Sequence, residues 1–172
     1  NNPHTLKVAG FNRPKQYLYY LTEYIEGITL EQWIKENPNP PVQNVIVIIQ
    51  QVMKGLRAFH RRETIHQDLK PGNIMLDKNG EAKIIDFGSC HVKAIAEIAT
   101  TLERDGILGT ATYAAPEAVL EGQSLQQSDI FSVSVILFEM LTNKLPFSGK
   151  LQDCRTKSAY LKTRYTPSYE LN

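Results

Sequence analysis

Two oxygen-bearing side chains, Asn73 and Asp86, stand where local pattern could bring them to one hard cation. Asn79-Gly80 is a strong turn signal, flanked by the strand-like runs Ile74-Met75-Leu76 and Ala82-Lys83-Ile84-Ile85. A hairpin closed there sets Asn73 and Asp86 at its open end, because each is a similar number of residues from the turn. A carboxylate beside a carboxamide suits Mg²⁺, which takes oxygen ligands. The same pair would serve equally well as polar turn caps, and the hairpin alone leaves both readings open. Other chemistries lack a pattern. His4, His60, His66 and His91 do not have metal-ligand spacing, and ordinary structural roles are expected for all but His66. No Ser-His-Asp or Cys-His set can be assembled from local signals. Cys90 and Cys154 form neither a disulfide framework nor a C-x-x-C pair, so reduced thiols in a cytosolic protein are the simpler expectation.

The elements that must hold this site can be read from periodicity. Tyr17 to Thr22 is aromatic-rich and predicts a strand, with Glu23 to Gly27 as a short connector. Thr29-Leu30-Glu31-Gln32 has the form of a capping box, opening a short helix with Trp33 and Ile34 on its apolar side. Asn37-Pro38-Asn39-Pro40-Pro41 ends it. Val42, Val45, Ile46, Ile49, Val52, Met53, Leu56 and Phe59 then predict a long amphipathic helix. Gly88 to Gly109 has little periodicity and is expected to be a long loop. Ser128 is expected to cap a helix through Phe131, Val133, Ile136 and Met140 that is apolar almost all round, hence central and buried, and that Asn143 and Pro146 end. The tail from Ser148 is polar, and its basic cast reads as a solvated face or a docking surface for an acidic protein.

Bulk properties bound the class. The 172 residues are 42% hydrophobic and 22% charged, as in ordinary globular domains, with a net charge of +1. That balance gives no reason to expect nucleic-acid or membrane contact by this segment. No apolar run approaches the ~18 residues of a spanning helix. Asn1-Asn2-Pro3-His4 offers neither an initiator methionine nor a signal-peptide core, so the start reads as cut from something longer.

His66-Gln67-Asp68-Leu69-Lys70-Pro71-Gly72-Asn73 resembles the catalytic loop of protein kinases, H-R-D-L-x-x-x-N. Asp86-Phe87-Gly88 is similar to their D-F-G motif, Ala115-Pro116-Glu117 to their A-P-E, and Asp129 to Ser134 to the start of their central helix. Each tripeptide alone is weak evidence. Four in the right order, from Pro3 to Phe147, are specific. The resemblance implies an α+β fold: a protein-kinase-like C-terminal lobe, mainly helical with small β-hairpins. Residues 1–27 would be the remnant of the N-terminal lobe with its hinge, and residues 28–172 the C-terminal lobe, truncated before its last helices. It implies ATP and Mg²⁺ as cofactors and a Ser/Thr hydroxyl on a protein as acceptor. Asp68 would orient the substrate hydroxyl proton, Lys70 would meet the γ-phosphate, and Asn73 and Asp86 would hold the metal. Thr110 would tie the substrate loop to Asp68 and Lys70. Thr22 would be the gatekeeper, Glu23 and Ile25 would offer backbone groups to adenine, and Met75 would floor the ring. Val8, His66, Phe87 and Asp129 would stack as the regulatory spine. The Asp-Leu-Lys-Pro form and Gly109-Thr110 imply the serine/threonine type.

The departures from the pattern carry expectations of their own. The glycine-rich loop, the strand lysine and its glutamate partner are absent, so the fragment is expected to be inactive by itself. Gln67 replaces the arginine that meets activation-loop phosphate. Glu117 is expected to lack its arginine, and the lobe to expose apolar surface that favours self-association. His66-Gln67-Asp68, the run from Tyr19 to Gly27 and the Lys157 to Tyr165 tail resemble bacterial polypeptides that fuse a metal-dependent phosphatase to a serine/threonine kinase. Some members of that group carry a membrane anchor far downstream, so a cytoplasmic domain is expected. Two other classes stand beside this reading: a small-molecule phosphotransferase, and a non-catalytic pseudokinase or scaffold lobe.

Overall fold

Tyr19-Tyr20-Leu21-Thr22 is a strand in a computed structural model of the chain, which describes residues 2–12, 19–86, 91–92, 112–148, 154 and 156–167. It pairs antiparallel, as β2 (Tyr19–Thr22), with β1 (Val8–Asn12). Tyr17, where the sequence predicts the strand to begin, lies outside the described residues. The chain then forms β3 (Gly27–Thr29) and turns at once into α1 (Leu30–Glu36). Thr29 caps that helix as its sequence predicts, its hydroxyl accepting the Gln32 N–H at 3.2 Å. The prolines after Asn37 separate it from α2 (Val42–His60).

The buried residues of α2, Val45, Ile48, Val52 and Leu56, recur at intervals of three and four and face one core. Against them packs a hairpin of β5 (Ile74–Asp77) and β6 (Ala82–Ile84), which comes after the two-residue strand β4 (Thr64–Ile65). Its side chains alternate as a half-buried sheet must: Ile74, Leu76, Ala82 and Ile84 point inward, while Met75 and Lys83 share the opposite face. Gly80 takes φ +77°, and the Asp77 carboxylate accepts the N–H groups of Asn79 and Glu81 at 2.8 and 2.9 Å, so the turn closes where Asn79-Gly80 predicts it. β3 adds to the hairpin beside β5, and residues 4–6 run along β6, where Leu6 N–H reaches Ile84 O at 3.0 Å.

The central helix closes the core from the other side. After β7 (His91–Val92), which pairs with β4, come α3 (Pro116–Glu121) and α4 (Gln126–Thr142). Val133, Ile136 and Met140 of α4 are buried with the α2 stripe. The helix begins two residues before Ser128, with Leu125 as its cap residue. Ser128 lies in the first turn, and its hydroxyl accepts the Leu125 N–H at 2.9 Å, so the expected cap reaches back from inside the helix. Asn143 ends α4 in a left-handed conformation, φ +53°. The tail holds a short helix, α5 (Lys157–Leu161), and the pair β8 (Phe147–Ser148) and β9 (Arg164–Tyr165). Helices with small antiparallel sheets are the α+β class expected. Most of the expected loop from Gly88 to Gly109 lies outside the described residues.

Gly27 is the tightest contact in the sheet, since a Cβ there would collide with the backbone carbonyl of Leu76. That carbonyl belongs to a paired strand and cannot move without breaking register. Gly27→Ala should therefore destabilise the chain by about 2 kcal/mol or more, read as a fall in the urea midpoint at unchanged slope.

Candidate functional site

Asp129 sits in the first turn of α4 with 1% of its surface exposed. A buried carboxylate is costly unless donors surround it. Here Oδ1 accepts the backbone N–H of Gln67 at 3.0 Å, and Oδ2 accepts that of His66 at 3.0 Å and meets His60 Nε2 at 2.8 Å. The backbone thus clamped turns sharply, with Gln67 at φ +69°, a conformation that costs a non-glycine residue energy and persists only when neighbours enforce it. The turn delivers Asp68.

Asp68, Lys70 and Asn73 form one cluster. Lys70 Nζ donates to Asp68 Oδ2 at 2.9 Å, and Asn73 Nδ2 donates to the same oxygen at 3.1 Å and to the Asp68 carbonyl at 2.8 Å. Pro71 begins a single 3₁₀ turn, Pro71–Asn73, that places Asn73. Asn73 is itself a hub: its N–H reaches Lys70 O, and its carbonyl accepts Ile85 N–H, both at 2.9 Å. That last bond closes the open end of the hairpin beside Asp86, which is exposed and has φ +63°. Asn73 and Asp86 therefore meet at the hairpin mouth, as their spacing predicts. The Asn73 amide spends its nitrogen on Asp68, which turns its oxygen the other way. A carboxylate and a carboxamide oxygen are hard donors of the kind a Mg²⁺ ion takes, so these donor types fit that ion.

His66 is fully buried beside Phe59, and burial pushes its imidazole below the usual histidine range. Its Nε2 lies 3.3 Å from the carbonyl of Ile85, which can only accept, so Nε2 carries a proton. Of the other expected spine members, Asp129 is buried with it, Val8 is half exposed, and Phe87 lies outside the described residues. Val8 departs from expectation because its described partner is the β2 backbone opposite Thr22 and not the core.

Toward the linker, Thr22 is exposed, Glu23 half-buried and Ile25 buried; Met75 is half-buried on the outer face of the hairpin. Thr110 lies outside the described residues, as do Phe87, Gly88 and Gly109. The segment from Tyr113 to Glu117 is held by α4. Ser132 Oγ donates to the Tyr113 carbonyl at 2.8 Å, and the Tyr113 hydroxyl donates to Glu139 at 2.7 Å. Burial, then that hydrogen bond, pushes the Tyr113 phenol far above its usual value, while burial raises the Glu139 carboxyl. Glu117, expected to be unpaired for want of its arginine, instead accepts a hydrogen bond from Ser128 Oγ at 2.6 Å. Sequence reasoning missed Ser132, Tyr113 and Glu139. The available signal was polar residues persisting along an otherwise apolar helix.

Known proteins resemble this chain over most of its length. The protein kinase domain family matches residues 1–170. The chain is 36% identical over 149 residues to the serine/threonine-protein kinase PknL of Mycobacterium tuberculosis, covering 87% of this chain and 37% of that protein. It is 29% identical over 150 residues to the serine/threonine-protein kinase PrkC of Bacillus subtilis, and 31% over 149 residues to a probable serine/threonine-protein kinase PknB of Lactococcus lactis. In both cases 87% of this chain and 23% of the relative are covered, so the chain spans well under half of these relatives.

Asp129→Asn should test the clamp. One prong of the new amide must face a backbone N–H with another N–H, leaving a buried donor unmatched at a cost of about 1–3 kcal/mol. Amide hydrogen exchange at His66 and Gln67 should accelerate more than at the α2 core.

Proposed function

This chain belongs to the protein kinase family, and from that premise we propose that the protein containing it transfers the γ-phosphate of ATP to serine or threonine hydroxyls of a protein substrate. The observation that carries the reading is the convergence of Asp68, Lys70 and Asn73 on one carboxylate oxygen, with Asp86 next to the bond that Asn73 makes to Ile85. Residues 1–27 are read as the end of the first lobe and the hinge, and residues 28–172 as the second lobe. Phosphoryl transfer asks for positioning and charge neutralisation more than for covalent chemistry by the protein. Asp68 would orient the attacking hydroxyl and take its proton. Lys70, already beside that carboxylate, would place its ammonium on the γ-phosphate as charge moves. Thr110 would tie the substrate loop to both. Asn73 and Asp86 would hold Mg²⁺, whose charge offsets that of the phosphates when it is bound. Thr22, the Glu23 carbonyl, the Ile25 backbone and Met75 would surround adenine. A cytoplasmic location would suit ATP as the donor.

The 172 residues carry no glycine-rich loop, so the isolated chain should show only background transfer of radiolabelled phosphate. A form extended to the length of the relatives should phosphorylate protein but not small alcohols. Asp68→Asn in that form should lower turnover by about a hundredfold to ten-thousandfold; near-normal turnover would refute Asp68 as the base. Because Gln67 cannot bind phosphate as an arginine does, alanine at Ser89, Thr100 and Thr101 together should leave turnover within about threefold of the parent. An enzyme silenced by those changes would refute independence from activation-loop phosphorylation.

A further inference from the structure

Both ends of the linker from Glu23 to Gly27 are fastened to the hairpin that carries Asn73 and Asp86. At the far end, Lys78 N–H donates to Glu26 O at 3.1 Å, and Gly27 pairs with Asp77. At the near end, the Glu23 carboxylate accepts Lys83 Nζ at 2.8 Å and the Lys7 N–H at 3.0 Å. The Glu23 N–H returns a bond to Lys7 O at 3.1 Å. The two ion pairs are unlike. Lys78 and Glu26 lie 3.3 Å apart with side chains 70% and 73% exposed, a solvated pair of little consequence. Lys83 and Glu23 keep only 16% and 25% of their exposure, so solvent screens them far less. The hydrogen bond from Lys83 draws the Glu23 carboxyl below its usual range.

Lys83 is also well placed along the chain. It stands directly opposite Met75 on the outer face of the hairpin, three residues before Asp86. The N-terminal strand segment is gathered in as well, since Lys7 is next to Leu6, which is bonded to Ile84. Three segments distant in sequence thus meet at one carboxylate.

We propose that Lys83 is a positioning residue for the nucleotide: by gripping Glu23 it holds the adenine-facing linker in register with β6, the strand that leads to Asp86. This rests on the kinase reading above. A ligand held at two ends binds best when the two half-sites are already aligned, because alignment then costs nothing on binding. With Lys83 neutralised, the linker keeps its anchor at Gly27 but loses the one next to the residues that face adenine. The loss should appear only for ligands that use both half-sites.

The test compares Mg²⁺–ATP with Mg²⁺–tripolyphosphate, which has phosphates but no base, on the form extended to the length of the relatives. Lys83→Met should raise the Kd for Mg²⁺–ATP by about threefold to fivefold, as expected for losing one ion pair, and leave that for tripolyphosphate unchanged. KM for ATP should rise in step, with kcat within about twofold. Lys83→Arg should restore most of the affinity, and it decides the matter should the methionine variant fail to fold. Equal affinity of parent and Lys83→Met for ATP, or equal weakening toward ATP and tripolyphosphate, would overturn the proposal while leaving the kinase reading intact. A parent protein that binds no Mg²⁺–ATP would overturn both.

Discussion

The site depends on one buried charge. Asp129 is carried by α4, whose Val133, Ile136 and Met140 are packed into the core, so hydrophobic burial sets where that carboxylate stands. The carboxylate in turn requires donors, and it finds them in two successive backbone N–H groups, His66 and Gln67. Satisfying both oxygens at once holds Gln67 in a left-handed conformation it would not adopt unaided. That turn sets the direction of Asp68. Packing of an apolar helix is thereby converted into the aim of one side chain about sixty residues earlier in the chain.

The same helix holds a second segment in place. Ser128, Ser132 and Glu139 succeed one another at intervals of four and seven, which places them on one stripe of α4. Each grips a segment between residues 113 and 117: Ser128 the Glu117 carboxylate, Ser132 the Tyr113 carbonyl, Glu139 the Tyr113 hydroxyl. A hydroxyl or carboxylate inside a packed helix is unfavourable unless partnered, and here every one of these is partnered by residues 113–117. The apolar face of α4 thus supports the core, and its polar positions hold the His66–Gln67 turn and the segment from Tyr113 to Glu117.

Much of this was legible from residues alone, and the boundary is physical. The helices at Leu30 and Val42, the hairpin at Asn79-Gly80 and the meeting of Asn73 with Asp86 all depend on spacing within about twenty residues, where periodicity and turn chemistry decide conformation. The offset at Ser128 arose because a serine can cap from within the first turn as well as from its edge. The partners of Glu117, Tyr113 and Glu23 were not legible, since each lies eleven to sixty residues away across a packed interface. Val8 shows the converse: a family position predicts a buried role, but in the described residues it lies half exposed on a paired strand. The strands in the tail were equally illegible, because two-residue pairs leave no periodic signal.

Gln67 shows how a departure from the family pattern can be harmless to the architecture. Its contribution to the loop comes from its backbone N–H, held by Asp129, and from its left-handed φ. Neither depends on which side chain the residue carries, provided it can bear the strained conformation. Replacing a guanidinium by a carboxamide removes a fixed positive charge that could meet phosphate while leaving untouched the bonds that aim Asp68. The loop geometry and its electrostatic control are therefore separable at this position. The loop at this position is built by the pairing of Asp129 with backbone amides, so its shape does not depend on the side chain that residue 67 carries.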